Sequence, residues 1–142
     1  MSKKYEFTDE TITINGIILH RIKALIDFDR FGVKAGDLGG FIEVEANLSH
    51  DGDAWVYGNA KVSGNAKIKR SNDYACVNGF GPVYKNTTFF RCEDDLIRAQ
   101  CGWFYGPIDE FRAKVKEAHG DSKYAKEYLM IADLMEYHFS ED

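Results

Sequence analysis

Residues 52–69 read GDAWVY-GNAKVS-GNAKIK, which is three consecutive hexads of one pattern. Each hexad begins with Gly, continues with Asp or Asn and then Ala, and carries a β-branched residue at its fifth position. A six-residue period of this kind is typical of a β-helix, in which each hexad forms one side of a coil. Gly and Asn tolerate the bend at each corner of the coil. We expect the Ala and the β-branched side chains of each hexad to point inward. The hexads therefore decide the architecture of the first half of the chain, although they name no function.

The sequence before the hexads predicts a β-hairpin and the beginning of the coil. Over residues 4–28, the run at 11–14 meets the run at 17–20 across Asn15-Gly16, the preferred type I′ turn. A Gly-rich bend follows at 34–42, and residues 46–51 form a degenerate hexad with Leu48 in the Ala place. Since three hexads make one triangular coil, the solenoid would span only about two coils. A stack that short needs a cover for its open ends, which the hairpin, the C-terminal module or a second subunit could provide.

After residue 73 the six-residue period stops, and the sequence predicts strands followed by two helices. The strands are expected at 74–77, 87–92 and 96–101, the last two around the acidic turn 93–95. The first helix is expected to begin at Pro107 and to end at Gly120, and Asp121 or Ser122 can cap the second. The two apolar helix faces comprise Ile108, Phe111, Val115 and Ala118, and then Tyr124, Tyr128, Ile131, Met135 and Phe139.

These elements together predict a β-rich α+β protein. Residues 1–73 would hold the N-terminal hairpin and a short hexad β-solenoid, and residues 74–142 an α+β module of antiparallel strands with two C-terminal helices.

Composition excludes several classes of protein. With 142 residues, 44% of them hydrophobic, and a net charge of -5, the chain resembles neither a disordered protein nor one coated in DNA or RNA. Its three cysteines form no CxxC pair, which suits a reduced cytoplasm. No apolar run approaches the roughly 18 residues of a membrane span, and the N-terminus leads into no signal-peptide core. We therefore expect a cytoplasmic protein without a membrane partner.

Motifs for catalysis are absent from the sequence. It contains no G-x-S-x-G, no P-loop, no HExxH and no paired Cys or His at metal-ligand spacing. His50 keeps an enzymatic interpretation open, because some hexapeptide β-helix proteins are acyltransferases with a catalytic His. Those enzymes have longer solenoids and an extended loop, so we expect no catalytic residue, no metal and no cofactor here.

The segment before the second strand carries a candidate ligand site. In Phe80-Gly81, a Gly beside an aromatic ring would let a flat ligand approach the backbone and stack. The hydroxyls of Thr87 and Thr88 could bind phosphate or ribose. The alternative is a plain loop that enters a hairpin.

The strand pair that follows adds two arginines to this candidate site. Alternation puts Phe90, Cys92, Ile97, Ala99 and Cys101 on one face under the helices, and Thr87, Phe89, Arg91, Arg98 and Gln100 on the other. If the turn consists of Asp94-Asp95, Arg91 lies directly across from Arg98. Two like charges side by side are destabilising unless an anion bridges them, so this pair would be an anion site. Alternatively, Glu93 and Asp95 neutralise both arginines.

A run of cations gives a possible second anion site. Residues 61–70 contain Lys61, Lys67, Lys69 and Arg70 and no acid. Lysines commonly cover the solvated side of a solenoid. Otherwise Lys61 and Lys67, six residues apart, stack on one face, and in a symmetric oligomer this stripe would form an anion-binding cavity.

Several of these stretches resemble known phage proteins. LGGFIE (38–43), NLS (47–49) and the GNAKV hexads resemble phage and prophage hexapeptide β-helix proteins over about residues 17–69. TTFFR (87–91), IDEF (108–111) and HGDSK (119–123) resemble a C-terminal module that is common in phage proteins. Strands followed by two C-terminal helices are also similar to the phage anti-Thoeris sponges. Members of that family sequester cyclic ADP-ribose signals, and some also cyclic oligonucleotides, as oligomers built from dimers.

The resemblance implies a non-catalytic anti-defence protein in the cytoplasm of an infected host cell. It would bind a cyclic nucleotide immune signal as a dimer, trimer or hexamer, with Phe80 as the aromatic stacker, Thr88 as the threonine and Arg91 or Arg98 as the strand arginine. The competing interpretation is a structural, oligomerising β-solenoid module that binds a host protein.

Overall fold

Two four-stranded sheets and two helices make up the fold, as seen in a computed structural model that describes residues 3–28, 32–81, 86–101 and 103–140. The first sheet, in the order β1-β2-β3-β4, comprises β1 (Tyr5–Ile14), β2 (Ile17–Ala24), β3 (Leu38–Ile42) and β4 (Lys61–Val62). The second, in the order β5-β6-β7-β8, comprises β5 (Tyr74–Val77), β6 (Thr87–Arg91), β7 (Ile97–Cys101) and β8 (Phe104–Pro107). The helices are α1 (Ile108–His119) and α2 (Lys123–Phe139). Neighbouring strands are antiparallel except β3 and β4, and the predicted β-rich α+β class is confirmed.

The N-terminal hairpin has the predicted turn. Ile14 pairs with Ile17, and Asn15 and Gly16 both have positive φ, 53° and 79°, as a type I′ turn requires. The Asn15 side chain also donates a 3.0 Å hydrogen bond to the carbonyl of Cys101. The tip of the first hairpin is therefore held against the second sheet.

The hexads have the predicted inward and corner positions. Gly52, Gly58 and Gly64 have φ values of 72°, 56° and 63°, a region that L side chains rarely adopt. The Ala and β-branched residues of all three hexads are at most 2% exposed; they are Ala54, Val56, Ala60, Val62, Ala66 and Ile68. The hexad pattern thus builds the first hydrophobic core.

Parallel pairing joins chain segments that are 20 residues apart. Phe41 pairs with Lys61 and Ile42 with Val62, and Leu48 forms a parallel bridge with Ile68. Leu48 therefore matches the β-branched place of a hexad and not the Ala place, which corrects our prediction. Among the described residues of the hexads only β4 is a regular strand, so the structure establishes a parallel stack of two segments (hereafter the coil) and not a complete solenoid.

The register of the second hairpin differs from the predicted one. Arg91 pairs with Ile97 and Phe90 with Arg98, because the turn has three residues, 93–95, between Cys92 and Leu96. Asp95 has φ 64°, the left-handed residue that such a three-residue loop needs. Since a shift of one residue reverses the faces of one strand relative to the other, the predicted division of the two faces is wrong.

Each face of the second sheet is covered by a different layer. Phe89, Ala99 and Cys101 pack under the helices in one core, whereas Phe90 and Cys92 belong to the core of the coil. A buried 2.5 Å hydrogen bond between Ser63 and Gln100 also joins the coil to β7. The sheet is thus the middle layer, with the helices on one side and the coil on the other.

The helices begin and end within one residue of the predicted positions, and Pro107 is the N-cap residue of α1 and not its first residue. Gly120, with φ 58°, ends α1, and the Ser122 hydroxyl accepts a 3.3 Å hydrogen bond from the Ala125 amide at the start of α2. Most of the predicted apolar residues are buried, but Ala118 and Tyr124 are exposed. Strand β8, which immediately precedes α1, had no counterpart in our sequence prediction.

Candidate functional site

Arg91 lies at the end of β6, where the second sheet meets the coil and α2. Its backbone carbonyl accepts a 3.0 Å hydrogen bond from the Lys67 amide. Its Nε lies 3.3 Å from Asp73 Oδ1, and its Nη2 donates a 2.9 Å hydrogen bond to the Phe139 carbonyl. Because the guanidinium is largely covered and makes these two contacts, Arg91 holds the end of α2 against the coil.

Asp73 is the buried carboxylate that organises this corner. Its side chain is only 3% exposed. Oδ2 accepts hydrogen bonds from the amides of Lys69 (3.0 Å) and Arg70 (3.1 Å), and Oδ1 faces the Arg70 guanidinium at 3.4 Å as well as Arg91. Charge-assisted hydrogen bonds of this kind offset the desolvation of a buried carboxylate. Asp73 thereby fixes the backbone from which Lys69 and Arg70 project.

A cleft of about 350 Å³ opens at this corner. Its lining residues are Lys67, Lys69, Arg70, Asp73, Arg91, Cys92, Glu93 and Asp95. Four of them are cations and three are acids, and the acid at the centre, Asp73, is already shared by two arginines. Hereafter we call this the basic cleft.

Lys67 and Lys69 are the two free cations of the basic cleft. Both side chains are exposed, and within the described part of the chain neither forms an ion pair. The two lysines also line an adjoining hollow of about 630 Å³, which Ser49, His50 and Asp51 help to form. An anion in either hollow would therefore meet two ammonium groups that form no ion pair among the described residues. Carboxylates line both hollows as well, with Glu93 and Asp95 in the basic cleft and Glu45 and Asp51 in the adjoining hollow.

Arg98 lies on the opposite face of the sheet from Arg91. It forms a bidentate pair with Asp94, at 3.0 Å and 2.9 Å, and a further 3.2 Å hydrogen bond with Asn65 Oδ1. These bonds lower the pKa of Asp94 to about 2 and raise the pKa of Arg98 above its usual range. The expectation that Arg91 and Arg98 lie side by side around an anion is therefore wrong, since each has its own carboxylate on its own face. The carboxylates that pair with the two arginines are Asp73 and Asp94, and not Glu93 and Asp95 as the alternative interpretation held.

Thr87 and Thr88 are buried structural residues. The Thr88 hydroxyl accepts a 3.0 Å hydrogen bond from the Lys61 amide and donates one of 2.6 Å to Asn86 Oδ1. Thr87 points to the helical side, beside the Cys101 thiol, whose pKa is raised by burial. As strand neighbours the two hydroxyls face opposite ways, so they do not bind one ligand together.

Phe80 and Gly81 pack against α2. The Phe80 carbonyl accepts a 3.4 Å hydrogen bond from the Tyr128 hydroxyl, and its half-buried ring contacts the helical core. Gly81 has φ 77°, and a Cβ there would collide with the same hydroxyl. The glycine therefore allows the approach of a helix side chain. Residues 82–85, which complete the predicted loop, lie outside the described residues.

The structure does not bring the six predicted ligand residues together. Phe80, Gly81, Thr87 and Arg91 lie on the helical side of the second sheet, and Thr88 and Arg98 on the coil side. Of the predicted second anion site, only Lys67 lines the basic cleft. Lys61 does not stack on Lys67, because residues that stack are 20 apart and not six, and its Nζ donates to the Asn59 carbonyl at 3.0 Å.

His50 has no free ring nitrogen for acid–base catalysis. Nδ1 accepts a 3.1 Å hydrogen bond from the Lys4 amide, so the proton resides on Nε2, which donates to Glu45 Oε1 at 3.0 Å. This bond from His50 is the main cause of a lowered pKa at Glu45. The imidazole also stacks on Tyr5 with ring centroids 4.1 Å apart. These contacts hold residues 4 and 5 against the segment 45–50.

Of the eight residues that line the basic cleft, sequence reasoning assigned only Lys67 and Arg91 to a site. Lys69 and Arg70 belong to the cation run but were not assigned to the site, and Asp73 was not considered. Asp73 closes the short 3-10 turn Ser71–Asp73 and caps the amides before it, which is a role that Asp often takes in turns. That local signal could have identified the carboxylate, but not its pairing with Arg91.

Comparison with known proteins gives no relative: no protein family, curated protein or solved structure matches the chain. Among the residues that the structure describes, no group of three or more His, Cys, Asp or Glu could hold a metal ion. Within the same ranges, no helix is long and apolar enough to cross a bilayer.

Proposed function

We propose that this chain is a non-catalytic protein that binds a small phosphate-bearing ligand in the basic cleft. The observation that carries the proposal is the pair Lys67 and Lys69, which line a concave site without a carboxylate partner among the described residues. Asp73 and Arg91 fix the floor of the cleft, so the two lysines project from a rigid corner. Because their backbone is already fixed, the conformational entropy lost on binding is limited to the ordering of the two lysine side chains.

The energetics indicate how tightly one cleft can bind. Sub-micromolar capture requires about 8 kcal/mol. An ion pair near a protein surface supplies about 1 to 4 kcal/mol before desolvation and side-chain ordering are subtracted. Two exposed lysines and a partly engaged arginine therefore support weak binding, and tight capture requires that a second copy of the chain cover the ligand.

We further propose that the ligand is a cyclic nucleotide immune signal, either a cyclic ADP-ribose isomer or a cyclic oligonucleotide. The support is the resemblance of about residues 17–69 and of stretches within 87–123 to phage proteins, and of the whole arrangement to anti-defence sponges. On this proposal the parallel stack of residues 41–48 on 61–68 is a minimal β-solenoid, and the protein acts as a homo-oligomer in the infected host cell.

Isothermal titration calorimetry tests the proposal. Cyclic ADP-ribose isomers, cyclic oligonucleotides and inorganic phosphate are titrated into the wild type and into Lys67→Ala/Lys69→Ala. We expect saturable binding of at least one nucleotide by the wild type and at least a tenfold loss in the double variant. Lys114→Ala/Lys116→Ala on α1 is the matched control, since it removes the same charge elsewhere. No binding by the wild type contradicts the function, whereas equal binding by both double variants contradicts the site.

The second candidate function is a structural, oligomerising module that binds a host protein. The observation that favours its oligomerising part is a row of exposed apolar side chains on α2, with Met130, Leu134 and Tyr137 exposed by 64%, 58% and 80%. Calorimetry separates the two functions, because such a module would give no heat with any nucleotide.

A further inference from the structure

The outer face of α2 carries a row of apolar side chains that no described part of the chain covers. Met130, Leu134 and Tyr137 follow one another at spacings of four and three residues, so they lie on one side of the helix. The opposite side, with Tyr128, Ile131, Met135 and Phe139, is buried in the helical core. Single exposed apolar residues are ordinary, but a contiguous row on one helix face indicates an interaction surface. We call Met130, Leu134 and Tyr137 the α2 stripe.

We propose that the α2 stripe is a dimer interface, on which α2 packs antiparallel against α2 of a second copy of this chain. A twofold axis near residues 130–134 brings Met130 of one copy to Leu134 of the other. An interface of this kind uses the same patch on both subunits, so one row of apolar residues is sufficient to form it. The proposal is independent of the ligand and of the basic cleft.

The charges beside the α2 stripe identify a second copy as the occupant. At 3.6 residues per turn, Lys126 and Asp133 lie about 40° and about 60° from Met130 on the same side of the helix. A twofold axis that relates antiparallel helices brings equal sides together. In a pair centred near residue 132, Lys126 of each copy therefore lies on the same side as Asp133 of the other, about 7.5 Å from it along the helix axis and within reach of a lysine side chain. Lys126 has no ion pair within the described ranges, and Asp133 binds Arg112 at 2.8 Å through Oδ1 alone.

The charge distribution along α2 agrees with this orientation. The N-terminal half of the helix carries Lys123, Lys126 and Glu127, and the C-terminal half carries Asp133 and Glu136. With two lysines and one glutamate the N-terminal half has a net charge of +1, and the C-terminal half, with two acids, has −2, so an antiparallel pair places halves of opposite net charge beside each other. A parallel pair would instead place like charges together, which is destabilising.

The length of the contact limits the strength of the dimer. With 17 residues, α2 is about 25 Å long. A single helix pair of this length buries less than the roughly 800 Å² per partner of a standard interface. We therefore expect a reversible dimer with a Kd of about 1 to 100 µM, and no permanent assembly.

Sedimentation velocity from about 1 µM to about 500 µM tests the interface. The wild type should shift from monomer to dimer across this range, and Leu134→Glu should remain monomeric, with a Kd raised at least 30-fold. Ala113→Glu, on the exposed face of α1, adds the same charge outside the stripe and should dimerise like the wild type. Circular dichroism checks that each variant is folded. A wild type that stays monomeric, or a folded Leu134→Glu that dimerises normally, overturns the proposal.

Cysteine crosslinking tests the orientation independently. Met130→Cys lies close to the proposed axis and should form a disulfide with its own counterpart. In an antiparallel pair centred near residue 132, the two copies of residue 123 are about 27 Å apart. Lys123→Cys should then form no disulfide, because bridged Cα atoms lie within about 7 Å. Crosslinking of Lys123→Cys beyond the wild-type background indicates a parallel pair and overturns the antiparallel model of the interface. The wild type is measured alongside because Cys76 is partly exposed.

Discussion

Asp73 and Arg91 form an ion pair, with Arg91 Nε 3.3 Å from Asp73 Oδ1, across the boundary between the coil and the second sheet. Asp73 belongs to the turn that follows the hexads, and Arg91 belongs to a strand of the sheet on which the helices pack. The pair thus connects both cores and also forms the floor of the basic cleft. Replacement of Asp73 should lower the stability of the protein and raise its affinity for phosphate.

We expect Asp73→Asn to destabilise the protein by about 2 to 4 kcal/mol, because it leaves the largely covered guanidinium of Arg91 without its carboxylate. The same change makes the cleft more positive, so phosphate binding should become stronger. Urea unfolding and phosphate titration measure the two effects. Asp94→Asn is the control, since its pair with Arg98 is more exposed and should contribute much less to the free energy of unfolding. Equal destabilisation by both variants would contradict the role of Asp73.

Arg98→Ala should leave anion binding unchanged, whereas Arg91→Ala should weaken it about threefold to tenfold. Arg98 faces the coil and is held by Asp94 and Asn65, while Arg91 lines the basic cleft. Phosphate affinity by calorimetry is the measurement. Equal losses of phosphate affinity in the two variants would indicate one anion site shared by both arginines and would contradict the register of β6 and β7.

The Arg98–Asp94 pair predicts a pH dependence of stability in acid. The pKa of Asp94 is about 2 in the folded chain, below its ordinary value near 3.8, so the unfolded state binds the proton more tightly. The stabilisation is therefore complete above about pH 4 and is lost as the pH falls towards 2. The difference in Tm between the wild type and Asp94→Asn should be constant from pH 5 to 8 and should disappear near pH 2. A difference that grows as the pH falls would exclude this explanation.

Gly64→Ala should destabilise the protein more than Gly58→Ala. Both glycines have positive φ, 63° and 56°, so each substitution incurs about 1 kcal/mol of backbone strain. A Cβ at Gly64 would also collide with the Tyr105 hydroxyl, whereas a Cβ at Gly58 meets nothing within 4 Å. Thermal unfolding should place the extra effect at Gly64 at about 1 kcal/mol or more. Equal destabilisation by the two substitutions would mean that the Tyr105 side chain moves away from the new Cβ without a cost in free energy.

Asn47→Ala should cost about 3 kcal/mol, because its buried amide joins the two segments of the coil. Oδ1 accepts from the amides of Glu43 and Val44, and Nδ2 donates to the carbonyls of Gly64 and Ala66, all at 3.0 to 3.1 Å. Removing the side chain leaves these buried backbone groups without partners. Asn59→Ala, at an exposed hexad position, is the matched control and should change the free energy of unfolding by less than about 0.5 kcal/mol.

Local sequence signals predicted the parts of the fold that depend on neighbouring residues. Asn15-Gly16 fixes its own turn, the hexad glycines fix their own corners, and Gly120 ends its own helix. The second hairpin was mispredicted because Glu93, Asp94 and Asp95 include no Gly to mark the left-handed position. A two-residue turn was therefore equally compatible with the sequence, and that difference of one residue moved Arg98 to the other face.

The basic cleft could not be predicted because it forms between distant segments. Lys67 comes from the coil, Arg91 from β6 and Asp73 from the turn between them, and the sequence contains no spacing rule that brings these together. The cation run suggested an anion site, but its partner residues follow from how β6 packs on the coil. Strand β8 was missed because Phe104–Pro107 is short and precedes a helix directly.

The place of Phe90 and Cys92 in the core of the coil bears on the order in which the protein folds during synthesis. The hairpin and the hexads leave the ribosome first, yet their core lacks two of its side chains until residue 92 has emerged, and the hairpin tip lacks its contact until residue 101. Because closing such distant contacts is slow, the nascent N-terminal half remains incomplete while the next strands are translated. Ribosome-arrested chains that end before β6 should therefore be sensitive to protease, and chains long enough to expose β7 outside the exit tunnel should be protected.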